Sequence, residues 1–228
     1  MRSKTPQALT TQLGARGWFA ELPASLQQLI LGEANLLNVP SGKIIYRQGD
    51  PPNGLFGICS GRIKYTYTHL SGKEIVSGFG SAGGWFGEVS MIDALPRHHT
   101  TSAVSEASLL QVSPRQFDAL IAAQPGLMKN FASLLCGNMR RQMFFNGEVM
   151  MQPPRIRLRR LLSHLAQGDV RQGREKDIVL EINQEQMASM IDLSRQTVNE
   201  SLRLLQKQGL IEIQYGAIII LDAARLDS

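Results

Sequence analysis

Two groups of residues in this chain carry chemistry. The first is a polar strip: Ser194, Arg195, Gln196, Asn199, Glu200 and Arg203, spaced to stand on one side of a helix. Each can form hydrogen bonds, and an apolar core excludes unpaired groups of this kind. On the second of two helices joined by a tight turn, such a strip suits the major groove of DNA. A helical hairpin with a solvated outer face fits the same stretch, so the rest of the chain must decide. The second group is Gly84-Trp85-Phe86-Gly87-Glu88-Val89-Ser90 followed by Pro96-Arg97-His98-His99-Thr100. Gly87 lets backbone N–H groups approach a ligand closely. Glu88 can accept from a sugar hydroxyl, and Arg97 can hold a phosphate by charge-assisted hydrogen bonds. A buried Glu88–Arg97 ion pair would give the same residues a structural role. His98 and His99, adjacent in a predicted strand, point to opposite faces there and do not chelate one metal together. No metal or haem site is expected.

The elements that must hold the polar strip are legible locally. Asn183 with Gln186 three residues on is a capping-box pattern. Met187, Met190 and Ile191 follow at helical spacing, Ile191-Asp192-Leu193 interrupts them, and Ser194 caps a second helix. Val198, Leu202 and Leu205 are its buried side, and Gly209 ends it. Val179 to Ile182 reads as a strand leading in. Leu210 to Ile213 and Ala217 to Leu221 pair around Gln214-Tyr215-Gly216 as a hairpin, the wing of a winged helix-turn-helix.

The elements around Glu88 and Arg97 are different. Trp18, Phe19, Leu22, Leu26, Leu29, Ile30 and Leu36 mark an arm and short helices over residues 1–36. From about 37 to 112, short β-rich runs are broken by turn residues every ten or so positions, as in a compact antiparallel roll. Ile63, Tyr65 and Tyr67 alternate with polar residues, which predicts a strand with one buried face. Pro114 to Ala123 reads as a helix, and a longer one as running from about Pro125 to Met151. Met128, Phe131, Leu135, Asn138, Gln142, Phe145 and Val149 alternate spacings of three and four, a heptad seam. A helix of about 25 residues is roughly 37 Å long, more than a small roll needs. Its seam is therefore expected to meet a second copy of itself. Gln152-Pro153-Pro154 is a stiff joint, followed by an amphipathic helix from Arg155 to Ala166. The expected domains are 1–124, an effector-binding roll; 125–152, a dimerisation helix; and 153–228, a DNA-binding domain.

Composition bounds the reading. A hydrophobic content of 43% supports a sizeable core, and the net charge of +5 is compatible with a polyanionic partner. Residues 152–228 are nearly neutral, with eleven Lys+Arg against ten Asp+Glu, although Arg155, Arg157, Arg159 and Arg160 cluster. No apolar run approaches the ~20 residues that span a bilayer, and the N-terminus lacks the apolar centre of a signal peptide. Cys59 and Cys136 lie in no CxxC, so a thiol-held zinc or iron–sulfur cluster is not expected. No paired nucleophile and base and no phosphate-transfer loop is visible. An enzyme is therefore not expected, nor is a regulatory subunit of an enzyme or channel, which would need a catalytic or membrane segment.

Arg47-Gln48-Gly49-Asp50, Ser60-Gly61, Gly87-Glu88 with Arg97, the seam helix and Ser194-Arg195-Gln196-Thr197-Val198 together resemble the Crp/Fnr family. The resemblance covers about 18–222. It implies an α+β fold with a cyclic-nucleotide-binding-like β-roll, a long dimerisation helix and a C-terminal winged helix-turn-helix. It further implies a homodimeric, cytoplasmic, bacterial transcription regulator that binds near-palindromic double-stranded DNA and has RNA polymerase as a partner. Effector contacts carry over to Gly87, Glu88, Val89 and Arg97. Two departures stand out. The residue after the phosphate-holding arginine, Ser in cyclic-AMP binders, is His98 here. The Thr-Ser pair that meets the adenine falls, counting from Pro125, at Gln142 and Met143. Cyclic AMP, cyclic GMP or another small anion is then the candidate effector, and a constitutive regulator with a vestigial pocket is the alternative. On the DNA side, Arg195 keeps the family's first reading arginine, Gln196 replaces a glutamate and Glu200 replaces a second arginine. Arginine suits guanine and glutamine suits adenine, so the half-site is expected to differ from that of the cyclic-AMP receptor. Gln184, Ser194 and Thr197 match phosphate-contact positions, with Asn199 on the same strip and Gln214 and Tyr215 at the wing tip.

Overall fold

The structure, a computed structural model, describes residue 13, residues 17–168 and residues 178–227. The chain divides into two compact units, Met1–Met139 and Arg140–Ser228.

The first unit begins its described elements with helix α1 (Ala24–Glu33). Eight strands follow: β1 (Asn35–Val39), β2 (Ile44–Tyr46), β3 (Leu55–Ser60), β4 (Ile63–Thr68), β5 (Glu74–Gly80), β6 (Trp85–Phe86), β7 (Thr100–Ala103) and β8 (Ala107–Val112). They form two four-stranded antiparallel sheets, in the orders β1-β8-β3-β6 and β2-β7-β4-β5, a double-sheet roll. One buried cluster gathers Tyr46, Phe56, Ile58, Ile63, Phe86 and Leu109; another gathers Phe19, Ile30, Leu55, Trp85, Phe117 and Phe131. The alternation expected along β4 fails halfway. Its pairing with β5 shifts register between Tyr65 and Thr66, where Ser77 is the extra residue in β5, and along β4 Thr66 is buried while Tyr67 is 40% exposed.

A short helix, α2 (Glu88–Asp93), interrupts the strands, and sequence periodicity did not show it. Helix α3 (Pro114–Ala123) starts from a capping box of Ser113 and Gln116. Helix α4 runs from Leu127 to Phe145, and a π-helical turn, Asn146–Met150, continues it. The regular helix is thus shorter than expected, and the π turn allows the chain to bend before Pro153.

The heptad seam also needs correction. Phe131 is fully buried in the core of the first unit, beside Leu127 and Leu134. Phe145 and Val149 are buried in the second unit, Phe145 with its ring 5.3 Å from that of His164. The open apolar positions of α4 are instead Met128, Met139, Met143 and Phe144, and Leu135 is half-buried. Phe131 and Phe145 lie on the buried side, where burial of a large apolar side chain stabilises most.

The second unit contains α5 (Pro154–Gly168), β9 (Ile178–Leu180), α6 (Gln184–Ile191), α7 (Arg195–Lys207), β10 (Ile211–Gln214), β11 (Ala217–Ile220) and α8 (Ala223–Asp227). Leu158, Leu161, Leu162 and Leu165 of α5 are buried. The sheet order is β10-β11-β9, so the expected wing hairpin is present and β9 lies beside it. No helix among the described residues is long and apolar enough to cross a membrane.

Candidate functional site

The two helices that carry the polar strip are held at every terminus. Asn183 Oδ1 accepts from Gln186 N at 2.8 Å, and Gln186 Oε1 accepts from Asn183 N at 3.0 Å, which is the capping box read from the sequence. Helix α6 ends at Asp192 in the left-handed conformation, φ 51°, which Asp tolerates better than most residues. Arg157 of α5 donates from Nη1 to Ile191 O at 3.1 Å, closing one of the free carbonyls of that helix end. Ser194 Oγ accepts from Thr197 N at 3.0 Å and so starts α7. Gly209, at φ 69°, ends it: Gly209 N donates to Gln206 O and Leu210 N to Leu205 O, a Schellman motif.

On α7, Val198, Leu202 and Leu205 are buried, while Ser194, Arg195, Gln196, Glu200 and Arg203 are exposed. Asn199 is half-buried and lies 3.5 Å from the Gln184 amide at the start of α6. Gln196 donates from Nε2 to Glu200 Oε1 at 3.0 Å. At the wing, Gln214 is exposed with its amide on Glu212, and Tyr215 projects fully into solvent. Two arginines of the basic cluster serve the fold. Arg157 also donates to Gln152 O, and Arg159 donates to Leu226 O and Arg225 O.

In the roll, Gly87, Glu88 and Arg97 come together as expected, although their partners are new. Arg97 is 3% exposed. Its Nη1 donates to Gly87 O at 2.8 Å, and its Nη2 to Asn53 Oδ1 at 2.7 Å and to Gly54 O. The guanidinium lies over the Tyr46 ring at 4.2 Å, a buried cation–π contact. Burial lowers the Arg97 pKa from the ordinary arginine value, and Tyr46, Glu88 and Asp50 work against that. Its Nε–H is buried without a hydrogen-bond partner. Glu88 is also buried, and its Oε1 accepts from Asn138 Nδ2 of α4 at 2.7 Å. Val89 is half-buried on α2. Gln142, the expected effector contact on the long helix, is exposed and donates from Nε2 to Asn146 Oδ1 at 3.3 Å. Asn138 stood in the predicted seam, but nothing in its spacing marked it as Glu88's partner.

The two histidines overturn the strand argument. They lie in a bend ahead of β7, not in a strand, so their rings meet with centroids 4.2 Å apart. A hydrogen-bonded line runs from buried Tyr46 Oη to His99 Nε2 at 3.1 Å, and from His99 Nδ1 to His98 Nε2 at 2.8 Å. Burial pushes the Tyr46 phenol up to about 12 and the His99 imidazole down to about 3, while His98 is lowered by the same cause. All three are therefore uncharged at neutral pH. Among the described residues no group of three or more His, Cys, Asp or Glu could hold a metal ion.

A roll with buried Arg97 and Glu88, joined in one chain to a capped winged helix-turn-helix, is the architecture of a DNA-binding regulator. The family described as Cyclic nucleotide-binding domain matches residues 36–124, and that described as Crp-like helix-turn-helix domain matches residues 156–228. The chain belongs to the Crp/Fnr family of DNA-binding transcription regulators. Among its relatives is the Cyclic AMP receptor protein of Thermus thermophilus, 29% identical over 188 residues, covering 82% of this chain and 84% of that protein. Another is the CRP-like cAMP-activated global transcriptional regulator of Mycobacterium tuberculosis, 23% identical, covering 94% of this chain and 96% of that protein. Of solved structures, FixK2 from Bradyrhizobium japonicum is similar at TM-score 0.74 and 15% identity, covering 85% of this chain and 96% of that one. The c-di-GMP responsive regulator CLP of Xanthomonas campestris is similar at TM-score 0.73 and 17% identity, covering 88% and 100%. These structural likenesses carry the fold. The named relatives are transcription regulators rather than enzymes.

Proposed function

We propose that this regulator works as a homodimer on near-palindromic DNA and is gated by a small anionic effector held in the roll by Gly87, Glu88, Val89, Arg97 and His98. Residues 1–124 then form the effector domain, 125–152 the dimerisation helix and 153–228 the DNA-binding domain. A cytoplasmic location and contact with RNA polymerase follow from that role. The observation that carries the reading is the Glu88–Asn138 hydrogen bond, which ties the candidate effector site to the helix with the open methionine seam. A ligand hydroxyl on Glu88 competes with the Asn138 amide. An anion at Arg97 competes with the carbonyls of Gly87 and Gly54. Occupancy therefore changes what holds α4, and the shift it drives equals the effector's differential affinity for the two states. The relatives' names supply the candidates: cyclic AMP for those of Thermus and Mycobacterium, c-di-GMP for that of Xanthomonas.

One observation favours the constitutive alternative. Three hydrogen bonds already hold the two terminal nitrogens of Arg97 inside the roll, so no free fork faces a phosphate. Calorimetry with cyclic AMP, cyclic GMP and c-di-GMP, paired with DNA titrations with and without each, separates the two. Gating requires a ligand that binds and changes DNA affinity by about 5-fold or more, the usual size of allosteric coupling. In Asn138→Ala that ligand still binds while DNA affinity stops responding. DNA affinity indifferent to every ligand leaves the constitutive regulator.

A further inference from the structure

The recognition strip contains one internal bond that its composition does not announce. Gln196 Nε2 donates to Glu200 Oε1 at 3.0 Å, one turn further along α7, and both side chains are exposed. A glutamine amide has two N–H donors and one carbonyl. With one N–H on Glu200, the other N–H and the carbonyl stay free. That is the set needed to grip adenine, which offers N7 as acceptor and N6–H as donor in the major groove. Unsupported, the amide rotates about its broad terminal torsion and presents either order. Glu200 holds the nitrogen to its own side and removes that freedom. Its carboxylate adds a penalty of its own: guanine offers two acceptors, N7 and O6, and meets a negative charge there.

We propose that Glu200 is a positioning residue for base reading: it orients Gln196 so that each half-site carries adenine, and not guanine, at the base pair beneath Gln196. The proposal rests on α7 being the DNA-reading helix. Glu200 is a positioning residue here because it acts through the Gln196 amide.

The test is selection from duplexes randomised across the half-site, using the full-length protein, followed by titration of the four single-base variants. The wild type is expected to select adenine at one position, and Gln196→Ala to lose that preference alone. In Glu200→Ala, preference for adenine over guanine there should fall by ~10-fold, about the discrimination of one bidentate contact. Total affinity should hold or rise, because one negative charge has left a surface that meets phosphates. Glu200→Gln keeps an acceptor for the amide and should restore most of the preference. An adenine preference unchanged in Glu200→Ala overturns the proposal while leaving α7 as the reading helix. A wild type that selects no sequence overturns both. Thermal melts of the free variants check that α7 stays folded.

Discussion

At Gly87 the backbone turns with φ 90°, and a Cβ there would stand 2.8 Å from Gly54 O and 3.0 Å from Arg97 Nη1. The glycine is required twice, by its dihedral and by the closeness of a carbonyl and a guanidinium. Gly87→Ala is expected to cost roughly 1–3 kcal/mol, the usual size of such backbone strain, read as a lower urea midpoint. The histidines give a pH dependence of definite sign. His98, His99 and His164 all have folded pKa values lowered by burial, His99 to about 3. Below the ordinary histidine value of 6.5 the unfolded chain binds more protons than the folded one. Stability should therefore be full above that pH and fall steadily as pH drops toward 3, and His99→Gln should flatten the fall in urea melts between pH 7 and 5. Glu88 and Arg97 were visible in the sequence because their residue types declare their chemistry. Their partners were not, since Asn53 is 44 positions from Arg97 and Asn138 is 50 from Glu88.

The helices of the second unit show what local sequence specifies well. Asn183 with Gln186, Ser194, and Gly209 act within one turn of the helix end they mark, so spacing alone located them. The turn between α6 and α7 is less ordinary, with Asp192 held at φ 51°. Asp192→Val should lower unfolding free energy by about 1–2 kcal/mol, the cost of the left-handed region for a bulky side chain, while Asp192→Gly should be tolerated. Urea titration of both variants checks this. Elements shaped by pairing or packing were illegible. The bulge at Ser77 of β5 depends on how that strand runs beside β4, and the π turn at Asn146–Met150 comes where Val149 is buried. Helix α2 has too few residues to show a period.

The proposed dimer places the outer face of α4 between two copies. Met139 is 53% exposed and Met143 63% exposed on that helix, and a charge there cannot be accommodated between two packed copies. Met139→Glu is expected to shift the protein from dimer to monomer in sedimentation equilibrium without changing its far-ultraviolet circular dichroism. DNA affinity should fall with it, because two reading helices about 34 Å apart are needed to hold both half-sites. Unchanged dimerisation would place the interface elsewhere. The heptad pattern had indicated such a face but included Phe131, Phe145 and Val149, which are buried within their own units. A period of three and four marks apolar positions on a helix and does not say which stripe faces inward.

The sequence by itself determined the order of the main elements apart from α2 and the π turn, the capped helix pair, the wing and the residue types of both sites. These depend on dihedral preference, capping and periodicity, which act over a few residues. Only the tertiary structure decided that Arg97 is committed to the carbonyls of Gly87 and Gly54, that Glu88 meets Asn138, and which methionines remain open. Those outcomes depend on which distant groups a buried charge finds when water is excluded, and burial makes finding one obligatory without naming the partner.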